Sequence, residues 1–233
     1  MAIRANALAV MAKAPVAGQV KTRLVPTLTD KEAAAFYRAL LLDQLNHLRK
    51  FEMIDFYLAI TPDYTRRMME QLAPPCFHLF PQQGEDLGAR MQAVFARLFA
   101  AGHKHIVLIG GDLAPVPLSF FAEAYNFLAA AGKRVVLGPS RDGGYYLVGC
   151  NRLTPQVFAG MTWSHSEVLA QTRAKPASLK IDTHLLPTWF DVDTPDDVHY
   201  LQAVLGAKFA DTAPNTLQLL RRLERRNTAG RPD

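Results

Sequence analysis

The feature that most constrains this chain is the regular alternation of short apolar runs with stretches of helical period. Ala7 to Met11 is a short apolar run that reads as a buried strand. A loop rich in Lys, Pro and Gly follows, from Ala12 to about Thr29. Apolar residues then recur at Ala33, Phe36, Tyr37, Leu40, Leu41, Leu45 and Leu48, one face of a helix. Thr29 and Glu32 have the spacing of a capping box, which marks where that helix starts. The alternation continues with strands over Met53–Ile60, Phe77–Phe80, His105–Ile109, Val135–Leu137 and Tyr145–Val148. Between them fall helices over Asp63–Leu72, Leu87–Ala100 and Pro117–Ala131, with Pro117 suited to a first turn and Gly132 to a stop.

After Cys150 the pattern is less regular, with a helix near Glu167–Arg173, a segment from Trp189 to Asp193, and helices near Asp196–Leu205 and Asn215–Arg225. Strands alternating with helices of this length predict βαβ units and a largely parallel sheet covered on both faces. At 233 residues one domain can bury a sizeable core. No repeat, linker or boundary breaks the chain, so one domain is expected over 1–233. Its core spans about 7–205, with a C-terminal helix and basic tail over 206–233.

Composition removes several function classes. An apolar content of 49% with 20% charged residues describes a globular chain, not a disordered one. Much of the net charge of +5 comes from Arg221, Arg222, Arg225, Arg226 and Arg231. The body carries no basic helix or aromatic RNA-binding signature, so these arginines read as a solvated end and no nucleic-acid partner is expected. No apolar run approaches the roughly 20 residues that span a bilayer, and the apolar part of Met1–Val10 is too short for a signal peptide. A cytoplasmic protein without a membrane partner is expected. Cys76 and Cys150 lack CxxC spacing and lie in apolar, strand-like contexts, which reads as buried reduced thiols. His103, His105 and His165 have no partner that would make them ligands, and the Ser164-His165 pair lacks a nucleophile elbow.

In open parallel sheets ligands bind outside the carboxyl ends of the strands, and polar clusters fall at those places. The first runs from Lys13 to Leu24, where Gly18 permits close approach and Lys13, Lys21 and Arg23 offer charge to phosphates. It is not a Walker A loop, because positions 15 and 20 hold Pro15 and Val20 instead of glycine. Loss of Lys21 or Arg23 is expected to weaken nucleotide diphosphate binding at least tenfold, about 1.4 kcal/mol. The second cluster, Gly110-Gly111-Asp112, offers a carboxylate that either holds Mg²⁺ or Mn²⁺ or caps a helix. Asp191 and Asp193 point the same way if their segment is extended, as metal ligands or a base. Asp196 and Asp197 fall in the first turn of the helix starting at Pro195, with Thr194 as its cap, and read as structural. In the third cluster, Gly138 to Tyr146, Asp142 is either a sugar or metal partner or part of a plain Asp-Gly hairpin turn. Gln82 can set an amide beside a base and Arg90 lies near a helix start, although capping by Asp86 explains that segment as well.

Taken together, the segments Lys13–Leu24, Gly84–Met91, Ile109–Asp112, Gly138–Tyr146 and Asp191–Asp197 resemble the DUF2064 proteins, glycosyltransferase-like members of the GT-A superfamily. Some of these are labelled arsenosugar-biosynthesis glycosyltransferases. The resemblance covers about Ala7 to Leu205. It implies a three-layer Rossmann-like nucleotide-diphospho-sugar transferase (GT-A) fold with a mostly parallel mixed central sheet. It also implies a nucleotide site drawing on Lys13, Gly18, Lys21, Thr22, Arg23, Gln82, Arg90, Gly143 and Gly144. Asp112 matches the superfamily's metal-binding aspartate, but it stands in Gly-Gly-Asp-Leu-Ala-Pro and not in a full D-x-D, so Asp191 or Asp193 has to complete the site. The expected assignment is Asp112 and Asp193 on Mg²⁺ or Mn²⁺, with Asp191 and Asp142 catalytic. The substrates implied are a nucleotide sugar or nucleoside triphosphate and a small-molecule acceptor.

Glycosyl transfer and nucleotidyl transfer both suit such a site. The Lys-Thr-Arg-Leu run is similar to one in the phospholactate guanylyltransferases. Those enzymes typically carry Gly-Gly-Thr-Asn where this chain has Gly143-Gly144-Tyr145-Tyr146, which favours glycosyl transfer. A non-catalytic nucleotide-binding regulator is the third reading.

Overall fold

In the computed structural model, which describes residues 3–25, 27–163, 165–204 and 210–229, the apolar runs become β1 (Asn6–Lys13), β2 (Ile54–Thr61), β3 (Phe77–Pro81), β4 (His105–Gly110), β5 (Arg134–Pro139), β6 (Tyr145–Cys150) and β7 (Asp182–Leu185). The helical stretches become α1 (Asp30–Leu48), α2 (Arg66–Leu72), α3 (Leu87–Ala100), α4 (Leu118–Leu128), α5 (Val168–Ser178), α6 (Pro195–Val204) and α7 (Pro214–Ala229). Ser164, Leu205 and Arg231 lie outside the described residues.

The strands form one seven-stranded sheet in the order β3-β2-β1-β4-β6-β5-β7. Only β6 runs against its neighbours. The cause is local: a short hairpin joins β5 to β6, whereas the helical crossovers from β1 to β5 return the chain in parallel.

The period-two alternation of β1 divides the core between the faces of the sheet. Leu8, Val10 and Ala12 pack with Leu41, Leu45 and Leu48 of α1 and Phe121 of α4. Ala7 and Ala9 pack with Met91, Val94, Phe95 and Leu98 of α3. α1 starts at the expected capping box, with the Thr29 hydroxyl accepting from Glu32 N and the Glu32 carboxylate accepting from Thr29 N. Such a cap contributes about 1 kcal/mol. A second face of α1, through Phe36 and Leu40, packs with Leu201 of α6 and Leu220 of α7. Asp43, 1% exposed, fixes that contact by accepting from Asn215 N, Asn215 Nδ2 and Thr216 N at the first turn of α7. A buried carboxylate is tolerated there because donors at a helix N-terminus satisfy it.

Some expectations are corrected. Cys76 is exposed, in the turn before β3, while Cys150 is buried; both thiols are free. Pro117 precedes α4 instead of opening it, and the helix stops at Leu128, not Ala131. α5 continues to Ser178 with Pro176 inside it. The strand β7 was not foreseen, because an edge strand this short, exposed at Asp182 and Thr183, shows no apolar run. Trp189–Asp193 joins the sheet only through isolated bridges, Ser140 to Trp189 and Leu113 to Asp191. Among the described residues no helix is long and apolar enough to cross a membrane.

Candidate active site

The crossovers reverse between β1 and β4, which pair in parallel down to Met11 and Gly110. Their connections therefore run toward opposite edges of the sheet, β1 to β2 and β4 to β5, and a crevice opens beyond their carboxyl ends. A cavity of about 530 Å³ occupies it. One part of the wall is polar: Lys13 at the end of β1 and Gln19, Lys21 and Thr22 from the loop after it, with Asp112 and Asp193. The other is apolar and aromatic, built from Leu87, Met91, Leu108, Val148, Tyr145 and Tyr146.

Lys21 is the centre of the polar part. Its ammonium donates to Asp193 Oδ1 at 2.6 Å and to Asp112 Oδ2 at 3.2 Å, partners 172 and 91 residues away in the chain. Its side chain is 3% exposed, against 41% for Asp112 and 34% for Asp193. Burial alone would lower the ammonium's pKa, but the attraction of Asp112 and Asp193 outweighs it and holds the group above its usual 10.5. Lys21 stays charged. Its backbone lies in the left-handed region at φ 49, a conformation that costs a non-glycine residue about 1–2 kcal/mol. The ring of Tyr37 stands 5.9 Å from Nζ, and the Tyr37 hydroxyl donates to Lys13 O. Burial, and after it the charge of Asp112, push that phenol well above its usual range, so it remains a donor.

Tertiary clamps bring the carboxylates together. Val192 N donates to Asp112 O, and Trp189 Nε1 donates to Ala114 O, tying residues 189–193 to the loop after β4. Asp197 accepts from Asp193 N, Thr194 N and Thr194 Oγ1, while Asp197 N donates back to Thr194 Oγ1. That reciprocal cap starts α6 and holds the backbone at Asp193, as the structural reading of Asp197 requires. Asp191 accepts from Ser140 Oγ at 3.0 Å. Burial first, then the charges of Asp142, Asp193 and Asp112, push its pKa up to about 6. A carboxyl group with that value exchanges protons near neutrality, the property a general acid or base needs.

Of the residues singled out in the sequence, the cavity wall gathers Lys13, Lys21, Thr22, Gln82, Arg90, Asp112 and Asp193. The remainder lie elsewhere. Gly18, at φ +77, turns the loop beside Asp30 and is not part of the wall. The Arg23 side chain is 73% exposed and, among the described residues, reaches only Asp193, at 3.9 Å. Gly143 and Gly144 form the hairpin turn, where Gly144 N donates to Asp142 Oδ1 and Gly143 N to Ser140 O. Gly143, at φ +89, packs on Ser166, whose carbonyl oxygen would lie 2.0 Å from an added Cβ. The hairpin reading therefore describes this segment, because the chain itself fills the space a ligand would need. Asp142 and Asp191 are not part of the wall; Asp191 is coupled by charge to Asp142, Asp193 and Asp112.

Gln82 carries a further correction. Its amide nitrogen is engaged by Ala59 O at 2.8 Å and Ala12 O at 3.4 Å, so only its oxygen remains to meet a ligand. Arg90 donates through Nε to Gly84 O, and Asp86 caps α3 through Ala89 N. Sequence reasoning missed Tyr37 and Tyr145 as wall residues. Tyr37 lay on an apolar helical stripe, where an aromatic ring looks like core, and nothing in its spacing separates the two roles.

The DUF2064 sequence profile, described as uncharacterized proteins conserved in bacteria, matches residues 44–165. No curated protein matches the chain. Among solved structures, a Desulfovibrio desulfuricans G20 protein provisionally named a nucleotide-diphospho-sugar transferase is 30% identical, with 95% of this chain and 96% of that one covered and a TM-score of 0.87. A 4-diphosphocytidyl-2C-methyl-D-erythritol synthase from Anaerococcus prevotii DSM 20548 shares the fold at 9% identity, over 87% and 97% of the chains, with a TM-score of 0.55. Rv0371c from Mycobacterium tuberculosis H37Rv does so at 16% identity, over 86% and 98%, with a TM-score of 0.50. The architecture is thus the Rossmann-like fold of the nucleotide-diphospho-sugar transferases, with a mostly parallel mixed sheet.

Proposed function

The chain belongs to the DUF2064 family, and from that membership we propose that it is a glycosyltransferase that takes a nucleotide-diphosphate sugar and passes the sugar to a small-molecule acceptor. One observation carries the reading. Lys13, Lys21, Asp112 and Asp193 converge on a single cavity at the point where the sheet's crossovers reverse. A diphosphate placed there lies along Lys13 and Thr22, and the apolar wall that includes Tyr145 is left for the sugar or base.

The donor set suits Mg²⁺ or Mn²⁺ that comes in with the diphosphate. Asp112 and Asp193 are hard oxygen donors already drawn to one cation, and both keep solvent access. Among the described residues no group of three or more acidic, histidine or cysteine side chains stands ready for a metal by itself. Mg²⁺ commonly makes do with one or two carboxylates plus phosphate oxygens and water. When bound, such an ion supplies charge neutralisation for the departing nucleoside diphosphate. Asp191, held by Ser140 off the cavity wall, bears on that site through its charge and its proton exchange near neutrality.

A thermal-shift panel of nucleotide sugars and nucleoside triphosphates, with Mg²⁺ or Mn²⁺, tests the proposal. Selective stabilisation by one nucleotide sugar, followed by release of its diphosphate in the presence of acceptors, is the expected result. Preference for a bare triphosphate would move the assignment to nucleotidyl transfer, and binding with no turnover would leave a nucleotide-binding regulator.

A further inference from the structure

We infer that Lys21 is a resident counter-cation, which holds Asp112 and Asp193 together in the free protein and keeps a lone divalent cation out until a nucleotide diphosphate brings one in. The inference rests on the nucleotide-diphosphate reading of the cavity. Its basis is positional. A single Nζ, 2.6 Å from Asp193 and 3.2 Å from Asp112, takes up the bridging position between those carboxylates that a shared metal would also use. A dication cannot enter beside an ammonium there without like-charge repulsion. The ammonium is also walled in, 3% exposed with the Tyr37 ring at 5.9 Å, so it cannot swing freely into water.

A phosphate in the cavity changes the balance, because it offers Nζ acceptors to replace the carboxylates it leaves. In the free protein the Lys21 ammonium faces both carboxylates, and Arg23 reaches Asp193 only across 3.9 Å at the solvated edge, so the pair is incompletely neutralised. That residual charge repels a bare diphosphate. It falls to the metal to compensate it, so metal and diphosphate enter as a pair while Lys21 moves from carboxylate to phosphate. The left-handed backbone at φ 49 fits a side chain held inward by its partners more than by its own preference.

The test is a Mn²⁺ titration in the absence of nucleotide, read by electron paramagnetic resonance, on the wild type, Lys21→Met and Lys21→Met with Asp193→Asn. Methionine keeps the length and removes the charge. Mn²⁺ affinity at least tenfold tighter in folded Lys21→Met, and lost again in the double variant, is expected. Equal or weaker affinity in folded Lys21→Met overturns the inference. A second measurement needs no substitution: the protected lysine ammonium signal in NMR spectra of the wild type stays in place under millimolar Mg²⁺ and shifts when UDP or GDP is added as well. A shift with Mg²⁺ alone overturns the inference. The Mn²⁺ titration contains no nucleotide, so it stands whichever way the nucleotide reading falls. That reading fails separately if neither diphosphate, with Mg²⁺, alters the protein's melting.

Discussion

The loop after β1 and the hairpin between β5 and β6 look alike in sequence and behave differently in space. Each follows an apolar strand, each contains glycine and basic side chains, and each leaves the same end of the sheet. The loop opens onto the cavity, with Lys13, Gln19, Lys21 and Thr22 along the wall. The hairpin closes on the protein. Gly143 O accepts from Leu169 N, and the Arg141 guanidinium lies 4.3 Å from the centre of the Tyr200 ring. Glycine serves both, to turn the chain in the loop and to admit a neighbouring strand of backbone in the hairpin. A Gly-rich loop at a strand end therefore does not by itself mark a ligand cradle; what approaches it does.

Substitution of these glycines should break the comparison most sharply. Gly143→Ala forces a Cβ into the Ser166 carbonyl at a positive φ and should cost about 2–4 kcal/mol in urea denaturation. Gly18→Ala meets nothing closer than 3.8 Å, so only its backbone strain remains, about 1 kcal/mol. Equal losses at the two positions would show that the hairpin is no more tightly packed than the loop.

The Asp191 carboxyl titrates at about 6 in the folded chain against 3.8 ordinarily, so the folded state holds its proton more tightly. Stability is then lost as pH rises from about 4 through about 6, and the full cost is present above that window. Asp191→Asn carries no charge and keeps an acceptor for Ser140. It should be more stable than the parent at pH 7 by about 1–2 kcal/mol, less than the full shift because the site is partly solvated, with the gain gone below about pH 4. A gain that persists at pH 3 would assign the effect to packing instead of charge.

Two substitutions sharpen the loop side. Asp112→Ala should remove the strengthening of nucleotide diphosphate binding by Mg²⁺, a change of at least tenfold or about 1.4 kcal/mol in calorimetry. A metal response equal to the parent's would take Asp112 out of the site. Arg23→Ala should be the smallest effect, under about twofold or ~0.4 kcal/mol, since a solvated ion pair at 3.9 Å contributes little. A tenfold loss would restore Arg23 to the rank that sequence alone assigns it, beside Lys21.

Much of the fold was legible before any coordinates, for reasons visible in particular elements. The Thr29–Glu32 cap, the α3 stripe from Met91 to Leu98 and the Asp142-Gly143 turn are local, and their residues meet within a few positions in the chain. β7 was illegible because its partner, β5, lies in another part of the chain and the strand buries little of its own surface. The site was legible in half. Charge in the loop after β1 and a carboxylate at the end of β4 could be read from strand order and the rule that ligands gather at carboxyl ends.

By itself, the order of residues determined the α/β class, most helix starts and the end of the sheet where polar groups collect, because period and capping are short-range properties of a chain. Tertiary structure alone decided that Lys21 turns inward to Asp112 and Asp193 while Arg23, a short step along the same loop, faces water. It also decided that Gly143 meets Ser166 and not a ligand. Charge interactions and close packing depend on distance in space, and partners 91 and 172 residues apart become neighbours only once the fold has brought their segments together.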